Sequence, residues 1–334
     1  MQKVGIVLPY WNNITKDEII NIAKRTEEFG YSSIWVPEMW GRDPITLLSI
    51  LALNTRKIEI GSGIISVYSR TPAAIAQTVA TLDEISEGRM NLGLGTSGRI
   101  VIEDWHGIRF DSPLRRTKEY IDIIRMILKG EKVNYNGEIF KLKNFSIQFK
   151  TLRNNIPIYL AAIGPKNIRL TGELADGWIP FLIPKNHLKL YKTDLKNGAE
   201  LSNRDYKDII TSPYIPCLAS ENQDLSKKII KEHIAHYIGT MGTYYYNVIC
   251  RSGFSNEADL IVDAVKNRNK NKSPEYVSEE MLRSLSICGT KTQAKIMLEE
   301  FCKSGADMPV LMFPPKSPRE IVYETIENMA PANS

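Results

Sequence analysis

An alternation that runs the length of the chain constrains the fold more than any single motif. Strand-like β-branched runs fall at 4–9 (VGIVLP), 33–37 (SIWVP), 58–65, 90–95 (MNLGLG), 156–163, 177–180, 209–219 and 309–313. Between them, apolar residues three and four apart mark amphipathic helices at 15–29, 45–53, 73–85, 113–128, 167–175, 187–201, 291–304 and 318–329. Gly30, Gly88 and Gly130 follow three of these segments as helix stops. Strands alternating with helices build a parallel sheet, because each crossover helix covers a sheet face. About eight such units over 334 residues predict an α/β fold, a (β/α)8 TIM barrel, in a single domain 1–334. Two stretches interrupt the pattern and read as insertions. One is 133–142, with the hairpin signal Asn136-Gly137 in its middle. The other is 240–285, within a mostly helical stretch 225–285. The rival is a doubly wound open sheet, which calls for a Gly-rich fingerprint after the first strand; Tyr10-Trp11-Asn12-Asn13 stands there instead.

A barrel places its active site at the C-terminal ends of the strands. Those ends carry Pro9-Tyr10, Glu38-Met39-Trp40, 63–68, Gly95-Thr96-Ser97-Gly98, Ile163-Gly164-Pro165, Pro180-Phe181, Pro216-Cys217 and Phe313-Pro314. Glycines, aromatics and hydroxyls dominate, with one early carboxylate, Glu38. No Ser/His/Asp set and no metal-ligand cluster is present, so no metal is expected. An aromatic mouth with many backbone donors suits a flat ring system. At Ala162-Ile163-Gly164-Pro165-Lys166 an apolar run ends in Gly-Pro and a helix begins. Free N–H groups at a helix N-terminus form an anion site, Pro165 fits its first turn, and Lys166 adds a charge. The two readings are a phosphate-bearing cofactor or nucleotide and an ordinary strand-to-helix turn.

Composition excludes several classes. The net charge of +5 is mild, and the basic run 266–272 (KNRNKNK) is short and lacks interleaved aromatics, so nucleic acid is not an expected partner. No apolar run reaches the length of a membrane span, and the opening MQKVGIVLPYW does not read as a signal peptide. Cys217, Cys250, Cys288 and Cys302 are widely spaced without a C-x-x-C, which points to a reducing, cytoplasmic setting.

Four blocks in order carry a resemblance across nearly the whole chain: 63–72 (GIISVYSRTP), 83–95 (DEISEGRMNLGLG), 115–129 (RRTKEYIDIIRMILK), and 162–165 with 175–178 (ADGW). The chain resembles the luciferase-like superfamily of flavin and deazaflavin oxidoreductases. It is most similar to the branch of coenzyme F420-dependent enzymes that includes methylenetetrahydromethanopterin reductase; 37–41 (PEMWG) and Trp105-His106-Gly107 look like that branch. The resemblance implies a non-proline cis peptide at Gly63–Ile64 behind the deazaflavin ring. It implies cofactor contacts from Gly63, Ile64, Ser66, Gly95, Thr96, Ser97, Gly98, Ala162, Ile163, Gly164 and Pro165. Glu38 becomes the candidate catalytic proton donor or substrate hydrogen-bond partner, and Trp40, Trp178 and Tyr245 the candidate substrate pocket, with core packing as the competing reading for both tryptophans. Where relatives often carry His after the acidic residue, this chain has Met39, so a His-based step there is in doubt. Ser97-Gly98-Arg99 lacks the carboxylate of sugar-phosphate relatives, which disfavours that substrate class. His106 reads as a loop anchor, and Tyr244, Tyr245 and Tyr246 as a pocket wall or a dimer interface.

The implied function is hydride transfer between coenzyme F420 and a small organic substrate, with a methylenetetrahydromethanopterin-like compound as one option. An FMN-dependent monooxygenase and a non-catalytic flavin-binding barrel are the alternatives. A homodimer or higher homo-oligomer is expected, with 73–85 and 121–128 as interface candidates; burial in the barrel's own helix layer explains the same pattern.

Overall fold

The computed structural model describes residues 2–38 and 41–331. Its strands are β1 (Gly5–Val7), β2 (Ser33–Val36), β3 (Glu59–Ser62), β4 (Ile65–Ser66), β5 (Met90–Gly95), β6 (Val133–Asn136), β7 (Lys141–Phe145), β8 (Ile158–Leu160), β9 (Gly177–Trp178), β10 (Ile210–Thr211), β11 (Tyr214–Ala219), β12 (Ile287–Gly289) and β13 (Val310–Met312). Its α-helices are α1 (Lys16–Glu28), α2 (Pro44–Asn54), α3 (Pro72–Ile85), α4 (Pro113–Leu128), α5 (Pro165–Leu174), α6 (Leu188–Leu201), α7 (Gln223–Thr240), α8 (Thr243–Arg251), α9 (Ser255–Lys266), α10 (Glu279–Leu285), α11 (Lys291–Lys303) and α12 (Arg319–Asn328).

Parallel pairing runs from β1 through β2, β3, β5, β8 and β9 to β10. On its other side β1 pairs with β13, and β13 with β11. β10 and β11 are the two halves of the expected strand 209–219, interrupted at Ser212-Pro213. Proline has no N–H for the ladder, yet Ser212 and Tyr214 donate to Trp178 and Pro180, so the strand still joins its neighbour and the ring closes. β12 departs from the expected pattern: three residues between α10 and α11 extend the sheet outward from β11. The run is too short to show a period. The insertion 133–142 is the antiparallel hairpin β6–β7, with β7 reaching Phe145.

Helix starts follow local chemistry. Thr15, Asp43, Thr71 and Ser278 cap α1, α2, α3 and α10 through their side-chain oxygens, and Thr290 with Gln293 forms a capping box on α11. The inner faces of α3 (Ile75, Ala76, Val79) and α4 (Ile121, Ile124, Ile127) are buried in the layer between strands and helices. Burial of each of these isoleucine and valine side chains contributes about 1.5–3 kcal/mol. The chain's own helix layer therefore accounts for the apolar pattern at 73–85 and 121–128. Among the described residues no helix is long and apolar enough to cross a membrane.

A second, smaller cluster fills the barrel interior: Val7, Trp35, Tyr159, Ile179, Tyr214, Met308 and Val310. Trp35 packs edge-on against Tyr159 at 5.0 Å and Tyr214 at 6.3 Å. Glycines make room for these rings. A Cβ at Gly61 would sit 2.5 Å from the Trp35 ring, and one at Gly177 2.0 Å from Tyr159. The barrel interior is thus filled below its C-terminal mouth.

Candidate active site

β3 ends at Ser62, and one residue on, the peptide bond Gly63–Ile64 is cis. Glycines surround this bulge. The Ser62 hydroxyl donates to the Gly93 carbonyl and accepts the Gly93 N–H, both at 2.9 Å. A Cβ at Gly93 would fall 1.9 Å from the Ser62 carbonyl oxygen. One at Gly95 would lie 2.9 Å from Ile64 Cδ1, and one at Gly63 2.1 Å from Tyr214 Oη. Three absent side chains thus let the Ser62 carbonyl, Ile64 and Tyr214 pack directly against the backbone, with Gly63 and Ile64 half-buried. The Tyr214 hydroxyl beneath is buried, has no partner among the described residues, and is pushed well above its ordinary pKa by that burial.

Glu38 follows β2 and is anchored firmly. One oxygen accepts the Ser66 N–H at 2.9 Å and the Ser69 hydroxyl at 3.0 Å. The other pairs with Arg70, whose second arm reaches Asp43 at 2.7 Å. The Glu38 side chain is 10% exposed, so these donors take up most of its surroundings. A proton-donor role requires that one of these contacts be released. The Ser66 side chain is buried and accepts the Tyr68 N–H.

β5 and β8 are neighbours, with Leu94 opposite Leu160, so the turns that follow them stand side by side. After β5 come Thr96, Ser97 in the left-handed region (φ 55°) and Gly98, then a helical segment ending in the π turn Val101–Trp105. This turn replaces the irregular polar loop expected around His106, whose N–H closes it onto Val101. After β8 come Ile163 and Gly164, then α5 with Pro165 in its first turn and no side-chain cap. A Cβ at Gly98 or Gly164 would meet open space. The uncapped N-terminus of α5, with exposed Lys166, faces anions favourably. The 96–112 segment folds back over the mouth: Phe110 stacks on Tyr68 at 5.3 Å, Tyr68 donates to the Asp111 carbonyl, and Arg116 lies 4.5 Å from the Tyr68 ring centre.

Other expected site residues lie elsewhere. Trp178 is fully buried in the strand–helix layer, and its indole donates to the Ala162 carbonyl at 2.8 Å. It is a core residue and not a pocket wall, because successive strand residues point to opposite faces. Ala162 is itself buried, and it offers that carbonyl inward. Asp176 is an anchor: it accepts the Ile158 N–H and pairs with Arg125 and Arg204. Trp40 lies outside the described residues. Tyr245, on α8, packs edge-on against Phe181 and Tyr237 at 5.7 and 5.0 Å. Phe181, Tyr237 and His233 make a cluster with it. Sequence reasoning missed His233 and Tyr237. They sit on α7 among Ile229, Ile230, Ile234 and Ile238, where helical periodicity reads only as core.

The luciferase-like monooxygenase family matches residues 3–308. A Mycobacterium tuberculosis protein named provisionally as a coenzyme F420-dependent oxidoreductase is 29% identical, over 92% of this chain and 94% of its own. The 5,10-methylenetetrahydromethanopterin reductase of Methanolobus tindarius is 32% identical, over 86% of this chain and 87% of its own. The coenzyme F420-dependent tetrahydromethanopterin reductase of Methanopyrus kandleri superposes with a TM-score of 0.85 at 22% identity, covering 99% of this chain and 98% of that one, which shows the shared fold. A plugged parallel barrel, a glycine-lined bulge at the end of its third strand and sequence likeness over nearly its full length lead to one assignment: the chain belongs to the luciferase-like monooxygenase family.

Proposed function

We propose that this chain is a coenzyme F420-dependent oxidoreductase that moves a hydride to or from a small organic substrate. The observation that carries the reading is the row at the mouth. The half-buried bulge Gly63–Ile64 leads to two adjacent turns that are open at Gly98 and Gly164. A flat ring with an anionic tail fits that row: the bulge for the ring, then backbone donors and Lys166 for the tail. The curated relatives named for coenzyme F420 or for a methanopterin reductase cover most of the chain, which favours the deazaflavin over FMN.

Ile64, with Gly63 and Gly95, would support one face of the cofactor. Thr96, Ser97 and Gly98, with Ile163, Gly164 and Pro165 at the start of α5, would hold its tail. When bound, coenzyme F420 supplies the carbon that gives or accepts the hydride, so the protein's work is orientation and exclusion of water. Glu38 fixes the 66–70 turn through Ser66, Ser69 and Arg70. In this reading it is also the acidic group offered to the substrate, through the oxygen it shares with Ser69. The four cysteines are free thiols, which suits a reducing compartment. A methylenetetrahydromethanopterin-type compound is the first substrate to test.

The test is a fluorescence titration of the purified protein with coenzyme F420, oxidised and reduced, and with FMN. Micromolar binding of the deazaflavin, with FMN at least tenfold weaker, is the expected result. Preference for FMN turns the reading to a monooxygenase. Binding of neither turns it to a non-catalytic barrel.

A further inference from the structure

A cavity of about 500 Å³ opens between the start of α6, the α8–α9 junction and α10. Pockets for small organic molecules have this size. It shares no residue with the row assigned above to the cofactor. Its wall takes Pro184 and His187 from the segment before α6, Ser252 and Phe254 from the α8–α9 junction, and Glu280 and Arg283 from α10. Two of these residues carry polar atoms that the fold leaves unpaired. Ser252 is 6% exposed, and its buried Oγ has no hydrogen-bond partner among the described residues. His187 Nδ1 is in the same state. Native proteins pair nearly all buried polar atoms, so two orphans in the wall of one cavity call for a ligand, a water or a function.

The charges around the cavity divide into paired and free ones. Lys185 pairs with Glu300 on α11, and Glu279 pairs with Lys231 at 2.7 Å. Arg283 acts electrostatically on Glu279 and Glu300 but is bonded to neither. The Glu280 carboxylate has no partner among the described residues. Arg283 and Glu280 are both exposed, so the cavity is open to solvent on their side. They stand three apart on α10 and are therefore neighbours on one helix face. A simple anion placed there meets Glu279 and Glu280, and a simple cation meets Lys185 and Arg283. Each is opposed as well as attracted. A ligand that carries both charges on neighbouring atoms satisfies both free groups: a carboxylate for the guanidinium fork, and an ammonium group for the carboxylate. The α-amino acid head has that form. The buried part of the wall, Pro184 and Phe254 with the two orphans, suits a short side chain that ends in an uncharged polar group.

We propose that this cavity is a second small-molecule site, which takes a zwitterionic α-amino acid with an uncharged polar side chain. Arg283 receives its carboxylate, Glu280 its ammonium group, and Ser252 and His187 its side chain. None of these residues belongs to the cofactor row, so the two readings are tested apart. The intact protein is titrated calorimetrically with L-glutamine, L-asparagine and L-serine. The tightest of the three is then compared with the matching amine, which lacks the carboxylate, and the matching acid, which lacks the ammonium group. For L-glutamine these are 4-aminobutanamide and glutaramic acid. The wild type binds at least one of the amino acids saturably, and its amine and acid at least tenfold more weakly. Arg283→Gln lowers the affinity for the amino acid at least tenfold, towards that of the amine, and leaves the amine where it was. Glu280→Gln lowers it towards that of the acid and leaves the acid where it was. Ser252→Ala weakens the amino acid about threefold or more.

A wild type that binds none of the three amino acids overturns the proposal. So do Arg283→Gln and Glu280→Gln variants that keep the wild-type affinity. An acid bound as tightly as its amino acid, with only Arg283→Gln weakening it, marks a plain anion site and overturns the zwitterion. Arg283 and Glu280 are exposed, and both variants are expected to melt with the wild type. If Ser252→Ala fails to fold, these two variants decide alone. Failure of the cofactor reading appears only in the coenzyme F420 titration, so the two ideas fall separately.

Discussion

Tyr159 occupies the space that a side chain at Gly177 would need. The ring is 2% exposed, lies edge-on to Trp35 at 5.0 Å, and has nowhere to retreat. Replacing Gly177 with Ala puts a methyl group 2.0 Å from Tyr159 Cδ1. Overpacking of a dense core typically costs about 1–3 kcal/mol. Gly177→Ala is therefore expected to lower the unfolding free energy by that amount, measured by chemical unfolding. An unchanged midpoint would mean that the interior is loosely packed. This position also explains why Trp178, offered as a pocket residue with core packing as the competing reading, lies in the core. Asp176 ties three elements together, Gly177 accommodates a ring inside the barrel, and Trp178 packs outside it. A sequence reveals that such residues cluster, but the face each one takes depends on the register of the neighbouring strands. The turn after β8 was legible because Gly-Pro before a helix is local chemistry. His187 was not, because an orphaned nitrogen is defined by what packs around it.

Local patterning specified the hairpin β6–β7; its attachment to the barrel is long-range. Asn136-Gly137 announced the turn, while the buried Glu119 on α4 holds it. Its carboxylate accepts the N–H groups of Glu138, Ile139 and Phe140 at 2.9, 3.1 and 3.0 Å. Gly137 must stay bare, since a Cβ would fall 2.2 Å from Glu119 Oε2. Burial alone would raise the Glu119 pKa, but the three donors outweigh it and leave it below the ordinary 4.5. A carboxylate with a lowered folded-state pKa contributes stability in full above its unfolded value and loses it as pH falls through the folded value. Hydrogen bonds to a charged group are worth about 1.5–3 kcal/mol. Glu119→Gln is thus expected to cost about 2 kcal/mol near neutral pH, with the gap to wild type closing in acid. Unfolding curves across pH 3 to 7, taken at about unit intervals, measure this. A gap that stays constant across that range would show that the charge does not matter. Nothing near 133–142 in the sequence identifies Glu119 as the partner, because an acidic residue on a helix reads as solvated.

At the scale of the whole molecule, the barrel is a ring whose first and last units are joined by the β1–β13 ladder and tied together again by its last helix. The alternation of strands and helices was enough to predict that ring. It left open the break at Ser212-Pro213 and the outlying β12, both set by pairing rather than by local preference. Closure draws on residues far apart in the chain. Trp11 donates to the Ser317 carbonyl at 2.9 Å, and Tyr31 donates to the Ile326 carbonyl at 2.8 Å. Arg319 pairs with Glu18 and lies 4.7 Å from the Trp11 ring centre. α12 also reaches the seventh unit: the Ala219 N–H donates to Thr325 Oγ1 at 2.9 Å, and Asn328 donates to the Ala219 carbonyl at 3.1 Å. Ile321, Val322 and Ile326 bury the face of α12 that lies against the strands. A chain ending at Ser317 keeps every strand and every residue assigned to the cofactor. It loses the Tyr31–Ile326 hydrogen bond and the Arg319–Glu18 pair while keeping the β1–β13 ladder, and it uncovers Tyr31 and the end of β11. The expected outcome is a loss of cooperative thermal unfolding, strong binding of a hydrophobic dye, and loss of coenzyme F420 binding despite an unchanged site sequence. The mouth is only as well formed as the ring beneath it: the bulge at Gly63 rests on Tyr214, and Tyr214 is paired through β13 to β1. If the shortened chain instead melts cooperatively and still binds the deazaflavin, the β1–β13 ladder closes the barrel unaided, and α12 serves only as cover.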